Sequence, residues 1–369
     1  MAKHTEAIRR SILNLNPFVF DQLLFQVALW RFEQKLPEKL IAKKLVSWVK
    51  INLPTAYNKN GSFSGSTVRN YINKAFKRGF VRVDRFPDQS IVNKIQNQLK
   101  LSPGRPLITV APDRSEMLRY AWLDLVDLLI RLIKTEKQEN VIVGVSGGHT
   151  MLDFAKKASS VADLRWHQEE GISDIVKKKV TVCSLTSGGI RSDIAALSDT
   201  VAAIISDFLK SNASGLLGPA WFADGDALSV FSRDPDVKKH IGLVENAKII
   251  LTSVGFIDDK KSLMRELIDK SEESEFIKNN PHTADILYNC YNGLSGEPVN
   301  LPDKVRNGLF SVINIEQLKQ KVQNGTYCFV MASGYEKGAF SMKPILTNQL
   351  ASHVYIDKSC SEGILLGKE

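Results

Sequence analysis

The chain has 369 residues, 43% of them hydrophobic and 24% charged, with a formal net charge of +9. That is an ordinary globular composition, long enough for two or three cores, and no apolar run approaches the ~20 residues needed to cross a bilayer. Four scattered cysteines (Cys183, Cys290, Cys328, Cys360) form no metal-binding spacing and fit a reducing compartment. A polar, basic N-terminus without an apolar segment argues against a signal peptide. A cytoplasmic protein without membrane contact, metal or cofactor is therefore expected. The charge is uneven: residues 1–100 carry 18 Lys and Arg against 6 Asp and Glu, a net of +12, so residues 101–369 carry −3. A basic module joined to a nearly neutral body points to a nucleic-acid binder with a second, differently employed domain.

Taken in order, residues 18–36 read as one amphipathic helix. A second follows Pro37, with Leu40, Ile41, Leu45, Val46 and Val49 on one face. Residues 52–65, rich in Asn, Gly, Ser and Pro, read as loop. Ser66 then caps a helix that runs to Arg78 and ends at Gly79. Its Val68, Ile72, Ala75 and Phe76 are expected inside, and its Thr67, Arg69, Asn70, Asn73, Lys74 and Lys77 outside. A short basic strand over 80–85, carrying Arg82, would follow as a wing. A capped helix with an outward face of Arg, Asn and Lys suits the major groove, where Arg and Lys read guanine and Asn reads adenine. Residues 1–88 are accordingly assigned to double-stranded DNA. The loop before Ser66 is long for a helix-turn-helix, whose turn takes about 3–4 residues. Residues 89–106 read as a linker helix (Ile91, Val92, Ile95, Leu99) and a Pro/Gly boundary.

From residue 107 the pattern changes to apolar runs alternating with helices. Strands are expected at 107–111, 141–145, 180–185, 216–220, 248–254, 326–331 and 353–356. Helices are expected at 116–134, 151–160, 193–210, 235–246, 315–324 and 340–350. That order implies a mainly parallel sheet covered on both faces, with ligands at the carboxyl ends of the strands. Two glycine-rich turns follow strands: Ser146-Gly147-Gly148-His149-Thr150, and a second with Gly188, Gly189 and Arg191. Both suit an anion, through backbone N–H groups and a helix start. Lys337 opens a later helix after another strand. Asp258, Asp259 and Asp285 lie near strand ends, where carboxylates either accept sugar hydroxyls or cap helices. Residues 144–148 also match G-x-S-x-G, the nucleophile elbow of serine hydrolases. That reading needs a later acid and a histidine, and His353 sits in an apolar strand that reads as core.

The run of motifs "VIVGVSGGHTMLDFA", "SLTSGG", "LLGPAWF", "AKIILTSVGFID", "ADIL" and "ASGYEKGAFSMKPILTNQLASHVYIDKSCSEGIL" resembles the effector domain of the sorbitol-operon (SorC) type of bacterial sugar-responsive transcriptional regulators, over about residues 90–369. The resemblance implies an α+β chain: a helical, winged helix-turn-helix module, then an α/β, mainly parallel-sheet domain similar to sugar-phosphate isomerases. It further implies a phosphorylated sugar as effector, bound and not converted, and a homo-oligomer, dimer or tetramer, on operator DNA. By motif, Ser146, Gly147, Gly148, His149 and Thr150 would hold the phosphate, with Gly188, Gly189, Asp285 and Lys337 completing the site. The first loop has His149 where many members have Arg or Thr, and Ala284 stands where the family's acidic element begins with Gly. The rival expectation is a sugar-phosphate isomerase or deaminase with a basic appendage, whose general base would come from Asp258, Asp259, Asp285 or His149.

Overall fold

The structure is a computed structural model. It describes residues 23–24, 26–27, 30–31, 36–52, 63–77, 88–102, 106–136, 138–161, 172–186, 194–223, 225–259, 262–270 and 274–367. The chain divides into two compact units, Met1–Arg85 and Phe86–Glu369.

In the first unit α1 (Glu38–Asn52) and α2 (Gly65–Lys77) pack together. The Pro37 carbonyl accepts the amides of Leu40 and Ile41 at 2.9 and 3.1 Å and so starts α1. Ile41, Leu45 and Val49 of α1 meet Val68, Tyr71 and Ile72 of α2, with Leu23, Leu24, Val27 and Trp30 in the same core. Leu40, expected inside, is exposed. The cap of α2 is Ser64, not Ser66: the Ser64 hydroxyl accepts the Thr67 amide at 3.2 Å, while Ser66 lies exposed within the first turn. Thr67 is buried, correcting its expected outward position. It neighbours Val68 and lies one turn before Tyr71, so the buried stripe is wider than the aliphatic residues alone suggest. Most of the expected 18–36 helix, loop residues 53–62, Gly79 and the 80–85 strand with Arg82 lie outside the described residues.

The second unit opens with α3 (Gln89–Gln98), capped by Asp88, whose carboxylate accepts the amides of Ser90 and Ile91. This helix, read from the sequence as a linker, places Val92 and Ile95 in the unit's own core. Then follow β1 (Leu107–Ala111), α4 (Arg114–Ile130), β2 (Val141–Val145), α5 (His149–Val161), α6 (Ile172–Lys179), β3 (Val180–Ser184), α7 (Ser198–Leu209) and β4 (Asn212–Ser214). After α8 (Gly225–Arg233) and α9 (Pro235–Glu245) come β5 (Ile249–Phe256), α10 (Leu263–Lys270), α11 (Ser274–Asn279), β6 (Thr283–Ile286) and β7 (Asn289–Asn292). The chain ends with α12 (Ile315–Gln323), β8 (Tyr327–Ala332), a helical stretch over 335–347 with a π-turn in its middle, β9 (His353–Asp357) and α13 (Lys358–Leu366).

Seven strands run parallel in the order β1-β9-β8-β5-β2-β3-β4. Strand residues alternate between two cores, because successive side chains point to opposite faces. Val141, Val143, Val145, Val180, Val182, Leu251 and Phe329 join Trp122 of α4 and Phe154 of α5 on one face. Ile108, Val110, Ile250, Val330, Val354 and Ile356 join Ile95 and Ile364 on the other. Coverage of both faces explains why these strands read as continuous apolar runs.

Two parts of the sheet differ from expectation. Residues 216–220 are not a strand; β4 lies just before them and pairs with β3. Leu216 and Ala220 are buried while Leu217 is exposed, so the apolar run fills space without joining the ladder. The Leu216 amide bonds instead to Ser184 Oγ at 2.8 Å and Asp199 Oδ1 at 2.7 Å. The second difference is the antiparallel hairpin β6–β7 on the end of β5, which sequence reading missed. Its two turn residues, Leu287 and Tyr288, have φ of 52° and 66°. Both positions favour Gly or Asn, so no turn signal was visible. Asn289 Nδ2 compensates by donating to the carbonyls of Ile286, Leu287 and Ile313 at 2.8–3.2 Å.

Candidate functional site

The carboxyl ends of β2, β3, β5 and β8 surround a cavity of about 650 Å³. Ser146 to Thr150 follow β2, Thr186 follows β3, Ser253 to Phe256 end β5, and Ser333 and Lys337 follow β8, all in its wall. Strand ends of a parallel sheet meet at one edge, where side chains and helix starts converge without any strand blocking the opening.

The Ser146–Thr150 loop is shaped by tight contacts. Ser146 N–H donates to the Leu251 carbonyl at 2.9 Å and Gly148 N–H to the Ala196 carbonyl at 2.7 Å. A side chain on Gly147 would put Cβ 2.8 Å from the Ala196 carbonyl oxygen. Gly148 has φ +107°, which other residues rarely adopt. Two loop amides are bound into the protein, and the next amides are those at the start of α5, where a helix has no acceptors of its own and favours an anion. His149 and Thr150 belong to that first turn.

Asp285, Asp259 and Lys337 also line the cavity. Asp285 stands on β6 directly across from Gly255 of β5. A Cβ on Gly255 would fall 1.9 Å from Asp285 Oδ1, so the glycine is what admits the carboxylate. The turn that leads to Lys337 is held by Asp357 at the end of β9, which accepts the Ser333 hydroxyl, the Gly334 amide at 3.1 Å and the Cys360 amide at 2.8 Å. Burial lowers the Lys337 pKa from its ordinary 10.5, opposed by the nearby Asp259 and Asp285 carboxylates and reinforced by the Arg114 guanidinium.

The structure thus brings Ser146, Gly147, Gly148, His149, Thr150, Asp285 and Lys337 into the lining of one cavity. Gly188, Gly189 and Arg191 lie outside the described residues. Asp258 does not join the cavity; it is paired with Arg265 at 3.1 Å. Sequence reading missed Arg114, Asp153, Leu287 and Tyr288, which also line it. A strand followed by Asp113 and a helix was the visible signal for Arg114; the hairpin pair had none. The hydrolase elbow is not assembled with His353, which opens β9 at the opposite edge from the residues following β2. Burial and the Arg131 charge push His353 down to about 4. Among the described residues no group of three or more His, Cys, Asp or Glu is placed to hold a metal, and no helix is long and apolar enough to cross a membrane.

In the first unit Ser66, Arg69, Asn70 and Lys74 are exposed on α2, at spacings of three and four that share one helix face. Arg69 Nε donates to Glu38 Oε2 at 3.1 Å across α1 and α2. An exposed ion pair of this kind is weak and exchangeable. Asn73 and Lys77 belong to α2, with side chains outside what the structure describes.

The Sugar-bind model, that of a sugar-binding domain, matches residues 93–365. No curated protein matches the chain in sequence. Among solved structures, the full-length sorbitol operon regulator SorC from Klebsiella pneumoniae is similar over 94% of this chain and 98% of its own, at 16% identity and a TM-score of 0.63. A probable sor operon regulator from Shigella flexneri is similar over 76% and 99%, at 17% identity and a TM-score of 0.56. A DeoR family transcriptional regulator from Listeria monocytogenes is similar over 75% and 99%, at 17% identity and a TM-score of 0.53.

Proposed function

The chain belongs to the Sugar-bind family, and from that premise we propose that it is a transcriptional regulator whose binding to operator DNA is controlled by a phosphorylated sugar. The carrying observation is the cavity whose lining brings together the glycine loop, the half-buried Lys337 and the Asp285 carboxylate. The start of α5 and Lys337 take the phosphate; Asp285 and Asp259 accept sugar hydroxyls. Gly188, Gly189 and Arg191 are assigned to the same site from the sequence. The exposed face of α2 (Ser66, Arg69, Asn70, Lys74, with Asn73, Lys77 and Arg82 from the sequence) is assigned to DNA. Thr67, buried against the core, serves the helix and not the groove. Effector binding shifts a homo-oligomer between arrangements of its paired α2 helices, and operator affinity follows the effector's preference for one of them.

A thermal-shift screen with phosphorylated sugars tests this directly. A ligand at 100 times its dissociation constant stabilises by about 2.7 kcal/mol. The isomerase or deaminase reading retains Asp259, Asp285 and His149 in the cavity wall. Incubation of the stabilising sugar phosphate with purified protein separates the two: a regulator returns it unchanged.

A further inference from the structure

Arg114 belongs to no motif of the site, yet it stands in the cavity wall. The extended backbone of Asp113 (φ −151°, ψ 172°) ends the run from β1, and its carboxylate caps α4 by accepting the Glu116 amide at 2.9 Å. Arg114 is therefore the first helical residue. Its Nη2 donates to Asp153 Oδ2 at 2.8 Å and lies 3.4 Å from Thr150 Oγ1, in the first turn of α5 where the anion seat is read. Two helices, not a loop, carry this arrangement. Lys157 Nζ of α5 bonds Ser115 Oγ of α4 at 2.7 Å, and Trp122 stacks on Phe154 at 4.6 Å between ring centres. Two of the loop's own amides are already engaged, so a dianion there needs side-chain donors.

We propose that Arg114 is the arm that reads the effector's phosphate, exchanging Asp153 for the phosphate oxygens. The inference rests on the cavity being the effector site. In the free protein Asp153 satisfies the guanidinium, so a neutral sugar gains nothing from it. A phosphate dianion carries more charge than a carboxylate and takes two parallel N–H donors from the planar fork. Arg114 thereby sets the preference for phosphorylated over free sugar.

The test uses the full chain with inorganic phosphate as the probe, by isothermal titration calorimetry. Arg114→Gln is expected to weaken phosphate binding by about tenfold or more. Asp153→Asn, which removes the competing charge, is expected to tighten it. Should Arg114→Gln fail to fold, Arg114→Lys keeps the charge without the fork and is expected to lose several-fold in affinity. Lys337→Gln reports on the site itself. Loss of binding in Lys337→Gln with unchanged affinity in the Arg114 variant overturns the role of Arg114 and leaves the effector site standing. Unchanged affinity in both, or no phosphate binding by the unmodified protein, overturns the site and the inference together. Weakening in Asp153→Asn alongside Arg114→Gln overturns the exchange.

Discussion

Gly255 and Asp285 form a pair in which one residue exists to make room for the other, since a Cβ on Gly255 would lie 1.9 Å from the carboxylate oxygen. Gly255→Ala should push Asp285 out of place and weaken sugar-phosphate binding, at a stability cost of about 1–3 kcal/mol from overpacking. Calorimetric titration and thermal denaturation of the variant check both. Lys337 gives a pH prediction. Its folded-state pKa is below the ordinary 10.5 because burial disfavours the ammonium. Below that lowered value the buried charge opposes folding, and the penalty is relieved as pH rises towards 10.5. Phosphate affinity runs the other way, falling as pH rises through the lowered pKa and the ammonium is lost. Lys337→Arg should abolish this alkaline limb, and affinity measured across an alkaline pH series decides it. Asp285 and Lys337 were legible as motif positions in the sequence. That Gly255 faces Asp285 was not, because the two meet only through the β5–β6 register.

At the scale of elements, the start of α2 separates two serines that look alike in sequence. Ser64 accepts the Thr67 amide, whereas Ser66 is inside the first turn. Ser64→Ala should cost about 1 kcal/mol of the first unit's stability. Ser66→Ala should cost much less, and circular dichroism melts of the two variants compare them. The hairpin β6–β7 is the second case. Leu287 and Tyr288 hold positive φ without being glycine, and both border the cavity. Such backbone is retained where surrounding contacts enforce it, here the three bonds from Asn289 Nδ2. Asn289→Ala should therefore loosen the cavity wall and lower effector affinity along with stability, as seen by titration and melting.

For the whole molecule, the division of charge matches the division into units: residues 1–85, the first unit, carry 16 Lys and Arg against 5 Asp and Glu, a net of +11, and the cavity belongs to the second. DNA affinity should fall steeply with salt, since each phosphate neutralised releases a counterion. Lys74→Ala should weaken binding to all sequences and reduce the salt slope by about 1 if it contacts a phosphate, whereas Asn70→Ala should cost about 1–3 kcal/mol only on the preferred site if it reads a base. Filter-binding or anisotropy titrations over a salt series with promoter fragments distinguish them; salt-independent binding would sink the DNA assignment.

The sequence by itself determined the features whose signals are local. Apolar runs with glycine turns gave six of the seven parallel strand positions, near enough to place the Ser146–Thr150 loop and Lys337 at strand ends. Periodicity over a dozen residues set Val68 and Ile72 inside and Arg69, Asn70 and Lys74 outside. The tertiary structure decided whatever depends on partners distant in the chain. Thr67 is buried on a helix that packs against α1, a partner its own sequence neighbours do not announce. The 216–220 run left the sheet because Ser184 and Asp199 took the Leu216 amide. Arg114 reached Asp153, 39 residues further on. A side chain's neighbours along the chain set its period and its turn; the company it keeps in a cavity follows from packing, which no local pattern encodes.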